Sequence, residues 1–332
     1  MKRIVTLLSA AVIAGAAVIT TACAKSDKKV TIYTSTEDYN MEHLKQCLDA
    51  QFPDYEIVIE YMSTSNIAAK VIEEGAKSDC DIVFFEEYGY LEKMISAGVL
   101  DSIEGDYDLT KYNDNGVTAA TNKYVLPACI TGGSVVVNTK VLAQKGLEEP
   151  TSYADLLAPE YKNLVSMASP KSSGTGYMFL YSLVKAWGET EALTYFDSLT
   201  PNVLAYTTSG SGPINALVSE EVAVGFGMIS QAVNKINDGN EDLKLLFFEE
   251  GAPYNLYGNS LVKGKKAKQA AKDVFDYLDS FYTNESSKLY YPEPVLKNVN
   301  YNVKNFPSDI KYANMEGNNL TTKEALLAKW TH

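Results

Sequence analysis

Three times in the first hundred residues a short β-prone apolar run passes through polar residues into a stretch with helical spacing. Val30-Thr31-Ile32-Tyr33 leads through Thr34-Ser35-Thr36 into Met41, Leu44, Cys47 and Leu48 on one helical face. Tyr55 to Met62 alternates as a strand and leads through Ser63-Thr64-Ser65 into Ile67, Val71 and Ile72. Asp81-Ile82-Val83-Phe84-Phe85 reads as a buried strand; Glu86-Glu87-Tyr88 and a helix with Leu91, Met94 and Ile95 follow, ending at Gly98. Successive β-then-α units bury their apolar faces around a mostly parallel sheet with helices on both sides, so the fold class is α/β. Ligands of such sheets lie beyond the carboxyl ends of the strands, where these polar edges fall.

The strongest edge comes later. Ala168-Ser169-Pro170-Lys171-Ser172-Ser173-Gly174-Thr175-Gly176-Tyr177 runs into an apolar helical segment, Met178 to Trp187. A helix start presents backbone N–H groups without internal partners and the positive end of the helix dipole. Hydroxyl and glycine residues let an anion approach those groups and add donors of their own. An ordinary N-cap explains any one such stretch; recurrence points further. Thr207-Thr208-Ser209-Gly210-Ser211-Gly212-Pro213 opens another helix, with proline at its first turn. Thr131-Gly132-Gly133 is expected to join two strands, Tyr124 to Ala128 and Ser134 to Asn138. Together with the edges after Tyr33 and Met62, five edges are expected to face one cleft.

The N-terminus is a separate matter. Lys2 and Arg3 precede an apolar run from Ile4 to Ile19, then small residues up to Cys23, which reads as a secretory signal. Thr20-Thr21-Ala22-Cys23 resembles a bacterial lipoprotein box, with Thr20 where leucine is common, and implies a lipid on Cys23. The formal net charge is -13, and more negative by two once Lys2 and Arg3 leave with the leader, which argues against nucleic acid as a partner. Arg3 is the one arginine in the chain. Cys47, Cys80 and Cys129 form an odd set without a close pair and read as separate buried thiols.

The remaining elements follow in order. Tyr153 to Leu157 reads as a short helix, Leu164 to Met167 as a strand, Glu191 to Leu199 as a helix and Val203 to Tyr206 as extended. Glu221 to Gly227, Leu243 to Phe248 and a segment near Leu261 read as strands. Ala267, Ala270, Ala271, Val274, Phe275, Leu278 and Phe281 mark a core-facing helical stripe. The tail from Tyr290 is expected to wrap the surface before a last helix near Ala325 to Trp330.

From about Val30 to Tyr291 the chain resembles the extracellular solute-binding proteins of ABC importers, in the type II periplasmic-binding branch with ferric-iron, phosphonate, thiamine and sugar-phosphate receptors. The resemblance rests on Val30 to Ser35, on Asp81 to Leu100 ending in Ala97-Gly98-Val99-Leu100, and on Val137-Asn138-Thr139-Lys140. It continues in Pro150-Thr151-Ser152-Tyr153-Ala154-Asp155-Leu156-Leu157, Ser169-Pro170 with Ser172 to Gly176, Glu221-Val222-Ala223-Val224-Gly225, and Gly251-Ala252-Pro253-Tyr254. It implies a two-lobed α/β fold, with a ligand cleft between the lobes and two crossover strands. With the leader it divides the chain into a signal peptide (1–22), a lipidated tether (23–29), the first part of lobe 1 (30–130), lobe 2 (131–252) and a return to lobe 1 with a C-terminal tail (253–332). The implied protein is exported, extracytoplasmic, lipid-anchored to the bacterial cell membrane and monomeric. It would deliver a small-molecule solute to an ABC permease and its ATPase, without cofactor or resident metal.

The solute follows from the edges. An enclosed anion without arginine must be held by backbone N–H groups, hydroxyls and helix dipoles, each neutral hydrogen bond contributing about 0.5–1.5 kcal/mol. Ser35, Thr36, Thr64, Ser172, Ser173, Thr175, Ser209 and Ser211 are the expected donors, with Gly174 and Gly210 beside them, and Thr131 is a further expected contact. The favoured solute is therefore a phosphorylated or phosphonate organic molecule, of the aminoalkylphosphonate or sugar-phosphate type. Glu86 and Glu87, at the end of a buried strand, would meet an ammonium group if one faced the cleft, and Glu86 is an expected ligand contact. Tyr33, Tyr88, Tyr177, Tyr206 and Tyr254 are candidate walls, with Tyr254 counted among the ligand contacts. Ferric iron is the first alternative; iron receptors of this branch carry a tyrosine pair where this chain reads Gly225-Phe226-Gly227-Met228-Ile229-Ser230-Gln231, although Tyr39 remains available. Thiamine or a polyamine comes next, suited to the acidic charge and the aromatics. An enzyme is least favoured: His43 and His332 are the only histidines, and Gly210-Ser211-Gly212 is not a nucleophile elbow.

Overall fold

The computed structural model describes residues 27–113, 123–293 and 295–332; the leader, Cys23 and the start of the tether lie outside them. The opening βα units form as expected: β1 (Lys29–Thr34), α1 (Asp38–Gln51), β2 (Glu56–Tyr61), α2 (Thr64–Glu74), β3 (Ile82–Glu87) and α3 (Tyr88–Ser96). The long strand β4 (Leu126–Asn138) leads into α4 (Thr139–Lys145), β5 (Val165–Ala168), α5 (Gly174–Trp187), α6 (Glu189–Leu199), β6 (Val203–Thr207), α7 (Gly212–Val218), β7 (Val224–Met228), α8 (Ile229–Asn237) and β8 (Leu243–Leu246). A second long strand, β9 (Tyr254–Leu261), precedes α9 (Gln269–Tyr277), a π-helical turn at Leu278–Tyr282, α10 (Thr283–Leu289) and α11 (Leu320–Leu327).

The strand order is β2-β1-β3-β9-β4-β7-β5-β6, with β8 also on β4. β1 runs parallel to β2 and β3, and β5 runs parallel to β6 and β7. β4 and β9 join these two parallel groups, each of which has helices on both faces, so the protein is a two-lobed α/β molecule with two crossover strands. In the first lobe Ile32, Leu44, Ile82 and Phe275 pack on one face of the sheet, and Ile67, Val71, Leu91 and Met94 on the other. In the second, Val137, Phe179, Phe196 and Phe226 lie opposite Val136, Ile214 and Leu217. No helix among the described residues is long and apolar enough to cross a membrane.

Two expectations are corrected. Thr131-Gly132-Gly133 does not join two strands: it lies inside the continuous β4, whose Thr131 and Gly132 pair with Asn255 and Tyr254 before Gly133 pairs with Met228 of β7. These glycines serve close packing. A Cβ on Gly133 would lie 2.6 Å from the Met178 side chain, and one on Gly132 would lie 2.9 Å from Ile229. The core-facing stripe fails at both ends: Ala267 is exposed in a 3-10 turn before α9, and the π-helical turn adds a residue so that Leu278 and Tyr282 are buried while Phe281 is 45% exposed.

The tail does more than wrap the surface. Leu296 bridges to Tyr112 in the first lobe, and Tyr312 then bridges to Ala252. Met315, Leu326 and Trp330 enter the apolar core of the second lobe, with the Trp330 ring 5.1 Å from that of Phe196. Cys80 and Cys129 are buried free thiols, and Cys47 is a half-buried one.

Candidate functional site

The carboxyl ends of β1 and β3 meet the starts of α2 and α5 between the lobes. Ser35 Oγ donates to the Phe85 carbonyl at 2.7 Å. Phe85 sits in a bulge of β3, at φ 57°, in the left-handed region that side chains other than glycine avoid. Its N–H donates to Asn259 Oδ1 of β9 at 2.9 Å, and its ring stacks on Tyr257 with centroids 4.8 Å apart. The bulge thereby turns a core-type residue toward the cleft. Across the cleft, Ser173 caps α5, its Oγ accepting from the Thr175 N–H at 3.2 Å. Replacing Ser173 with alanine should cost about 1 kcal/mol, read as a lower unfolding midpoint.

These elements line a narrow cavity between the lobes. Ser35, Glu37, Tyr61, Ser63, Thr64 and Phe85 line it from the first lobe. Ser173, Gly174, Thr175, Gly210 and Met228 line it from the second, and Tyr257 from the crossover strand. The lobes touch around its rim. The Gly174 N–H donates to Thr64 Oγ1 at 3.2 Å, the Ser65 N–H to the Ser172 carbonyl at 3.3 Å, and Tyr90 Oη to the Lys171 carbonyl at 3.0 Å. Tyr61 Oη and Ser209 Oγ share a further hydrogen bond.

Among the described residues no lysine lines the cavity, and Glu37 carries its single ionisable carboxyl. Glu37 occupies the N-cap position of α1 without making a capping bond, is 5% exposed, and accepts from Tyr291 Oη at 3.3 Å. Burial pushes its carboxyl up to about 7. An acid before a helix reads in sequence as a partner for the dipole, which is why Glu37 goes unnoticed there. Among the described residues no group of three or more His, Cys, Asp or Glu is placed to hold a metal ion.

The cavity brings together Ser35, Thr64, Ser173, Gly174, Thr175 and Gly210 of the expected contacts. Ser172, Ser209 and Ser211 lie beside it: Ser172 Oγ donates to the Thr208 carbonyl at 3.1 Å, and Ser209 Oγ is 2.7 Å from Ser211 Oγ. The rest are placed elsewhere. Thr36 is wholly buried, its Oγ1 accepting from Asn40 Nδ2 at 2.7 Å. Thr131 Oγ1 is 3.3 Å from Cys129 Sγ within β4.

Glu86 is not a cleft residue, because β3 continues through it to pair with Gly258 and carries it into the interior, where burial and then the Glu87 charge hold its carboxyl well above the usual range. Glu87 is ion-paired with Lys323. Tyr254 packs on Tyr312 with centroids 5.5 Å apart and lines a different depression, with Glu87, Tyr88 and Met315. Tyr33 and Tyr177 are core residues. The aromatic walls are instead Tyr61, Phe85 and Tyr257.

A family model described as "Bacterial extracellular solute-binding protein" matches residues 80–315. An uncharacterized protein of Haemophilus influenzae is 33% identical over 214 residues, which span 58% of this chain and 58% of that protein. The spermidine/putrescine-binding periplasmic protein 1 of the same organism is 27% identical over 287 residues, 81% of this chain and 75% of that protein. The structure of the periplasmic binding protein AfuA from Actinobacillus pleuropneumoniae, with fructose-6-phosphate bound, superposes with a TM-score of 0.77 at 24% identity, covering 91% of this chain and 97% of that one. Iron-bound HitA from Pseudomonas aeruginosa superposes with a TM-score of 0.72 at 17% identity, covering 92% and 99%. At these identities the two solved structures share the fold with this chain.

Proposed function

Because the chain belongs to the bacterial extracellular solute-binding protein family, we propose that it is the substrate-binding component of an ABC importer and captures a small organic solute bearing a phosphate or phosphonate group. The observation that carries this reading is the convergence of the α5 start, with Ser173, Gly174 and Thr175, and the hydroxyls of Ser35 and Thr64 on one cavity that no arginine or lysine among the described residues lines. Neutral donors at a helix start suit an oxyanion, which would take over the Ser35, Gly174 and Thr175 donors now bonded within the protein. AfuA, whose solved structure holds a sugar phosphate, has the same fold. Solute contacts from α2 in one lobe and α5 in the other would favour the closed arrangement, since they are made together only there. The lobes divide at about residues 130 and 252, within or next to the crossover strands. The protein is proposed to work outside the cytoplasm as a monomer held by a lipid on Cys23, passing solute to a permease and its ATPase.

A second reading has its own observation. Glu37 and the rings of Tyr61, Phe85 and Tyr257 line the same cavity and suit an organic cation; a relative is named for spermidine and putrescine. Thermal-shift measurements against hexose phosphates, aminoalkylphosphonates, inorganic phosphate, spermidine, thiamine and ferric citrate separate the readings. A bound solute at a hundredfold excess over its Kd adds about 2.7 kcal/mol of stability. The first reading expects the largest shift from a phosphorus compound and its retention in Glu37→Gln. A shift with spermidine or thiamine alone, lost in Glu37→Gln, would replace it with the second.

A further inference from the structure

Behind the cavity lies a charge that solute capture does not use. Lys323, on α11, is 1% exposed, and its Nζ is bonded to Glu87 Oε2. The ammonium also lies 3.8 Å from the centroid of the Tyr90 ring and 4.6 Å from that of Tyr177, so carboxylate and aromatic faces surround it. Tyr90 belongs to α3 in the first lobe, and Tyr177 to α5 in the second. Glu87 in turn accepts from the Gly89 N–H at 3.0 Å and so caps α3. Its methylenes press on the cavity floor: a Cβ on Gly174 would lie 3.1 Å from Glu87 Cγ.

The segment that carries Lys323 straddles the lobes. Its start is held by the first, where the Leu320 N–H donates to Glu92 Oε2 at 2.9 Å. Its end is held by the second, through Leu326 and Trp330 in the core and Lys329 paired with Glu189 at 2.6 Å. The pair ties the start of α11 to the first lobe, while Tyr177 over the ammonium and the Leu326 and Trp330 end of the strap belong to the second; separating the lobes would strip an aromatic face from a buried ammonium or pull one end of the strap out of its core.

We propose that Lys323 is a positioning residue for lobe closure: held by a C-terminal strap that spans both lobes, its ammonium joins Glu87 and Tyr90 of the first lobe to Tyr177 of the second and favours the arrangement in which α2 meets the start of α5. Thr64 and Gly174 are thereby brought together across the cleft before any solute touches them. This rests on lobe closure as the working motion and not on the identity of the solute.

The test needs no solute. The Ser65 and Gly174 amides donate across the cleft, so their hydrogen exchange reports separation of the lobes, while amides of the β1–β2 ladder report the first lobe's own stability. In Lys323→Met, exchange at Ser65 and Gly174 is expected to quicken at least tenfold, with the β1–β2 amides nearly unchanged. The double variant Lys323→Met/Glu87→Gln, which leaves no lone buried charge, is expected to show the same selective quickening. Unchanged cleft amides in either folded variant would overturn the proposal. Equal quickening of cleft and ladder amides, or failure of both variants to fold, would also overturn it and make the pair a part of the general core.

Discussion

Alanine at Gly176 is expected to destabilise the protein by about 3 kcal/mol and to lower its unfolding midpoint by about 5 °C. Gly176 lies in the first turn of α5, where a Cβ would sit 2.2 Å from the Ala168 carbonyl oxygen and 2.7 Å from the Ser169 carbonyl carbon. Both are backbone atoms at the end of β5 and cannot rotate aside, so the helix would have to move outward. In an open helical site the same substitution would stabilise by about 0.5–1 kcal/mol, because glycine is the poorer helix former. The sign of the change therefore decides the matter. Moving α5 would also carry Ser173, Gly174 and Thr175 away from Thr64, so solute affinity should fall with stability. Calorimetry of the variant reads the first effect; a rise in midpoint would mean that α5 stands clear of β5.

The second large effect is a pH dependence centred on Glu37. Burial raises its carboxyl from 4.5 to about 7. Below pH 4.5 the group is protonated in both the folded and the unfolded chain and has no influence on stability. Between 4.5 and about 7 the unfolded chain has ionised and the folded one has not, so the unfolded state binds fewer protons and stability falls as pH rises. Above pH 7 the folded protein carries the full penalty of a buried carboxylate, about 3 kcal/mol. Glu37→Gln keeps the shape and cannot ionise. It should match the native protein at pH 4 and exceed it in stability by about that amount at pH 8, in urea unfolding at both pH values. Glu86 is present in both proteins and cancels in the difference. A difference independent of pH would show that Glu37 is solvated in the folded state.

The helix starts and the acidic residues around the cavity show where sequence reading reaches and where it stops. Hydroxyl and glycine residues at helix starts carry local information, because capping and dipole effects act within one turn. Thr64, Ser173 to Thr175 and Gly210 could therefore be picked out from sequence as residues that line the cavity. Glu37 was not, because an acid ahead of a helix has a sufficient local explanation; only the packing around it shows that the carboxyl makes no cap and lines the cavity instead. Glu86 misleads in the opposite sense. Its place after a buried strand suggested a cleft residue, but strand pairing with Gly258 extends β3 one step further and draws it inside.

Sequence by itself determined the α/β class, the positions of the opening βα units, and the hydroxyl-rich starts of α2 and α5, since periodicity and capping are set by residues a few positions apart. Tertiary structure alone decided which of those starts share a cavity. It made β4 one strand across both lobes, aimed Phe85 into the cleft through a left-handed bulge, and brought Lys323 to Glu87 across 236 positions of chain. Those outcomes depend on partners far apart in sequence: a strand's end is fixed by the strand it pairs with, and a buried charge settles where a distant opposite charge removes the penalty of leaving water.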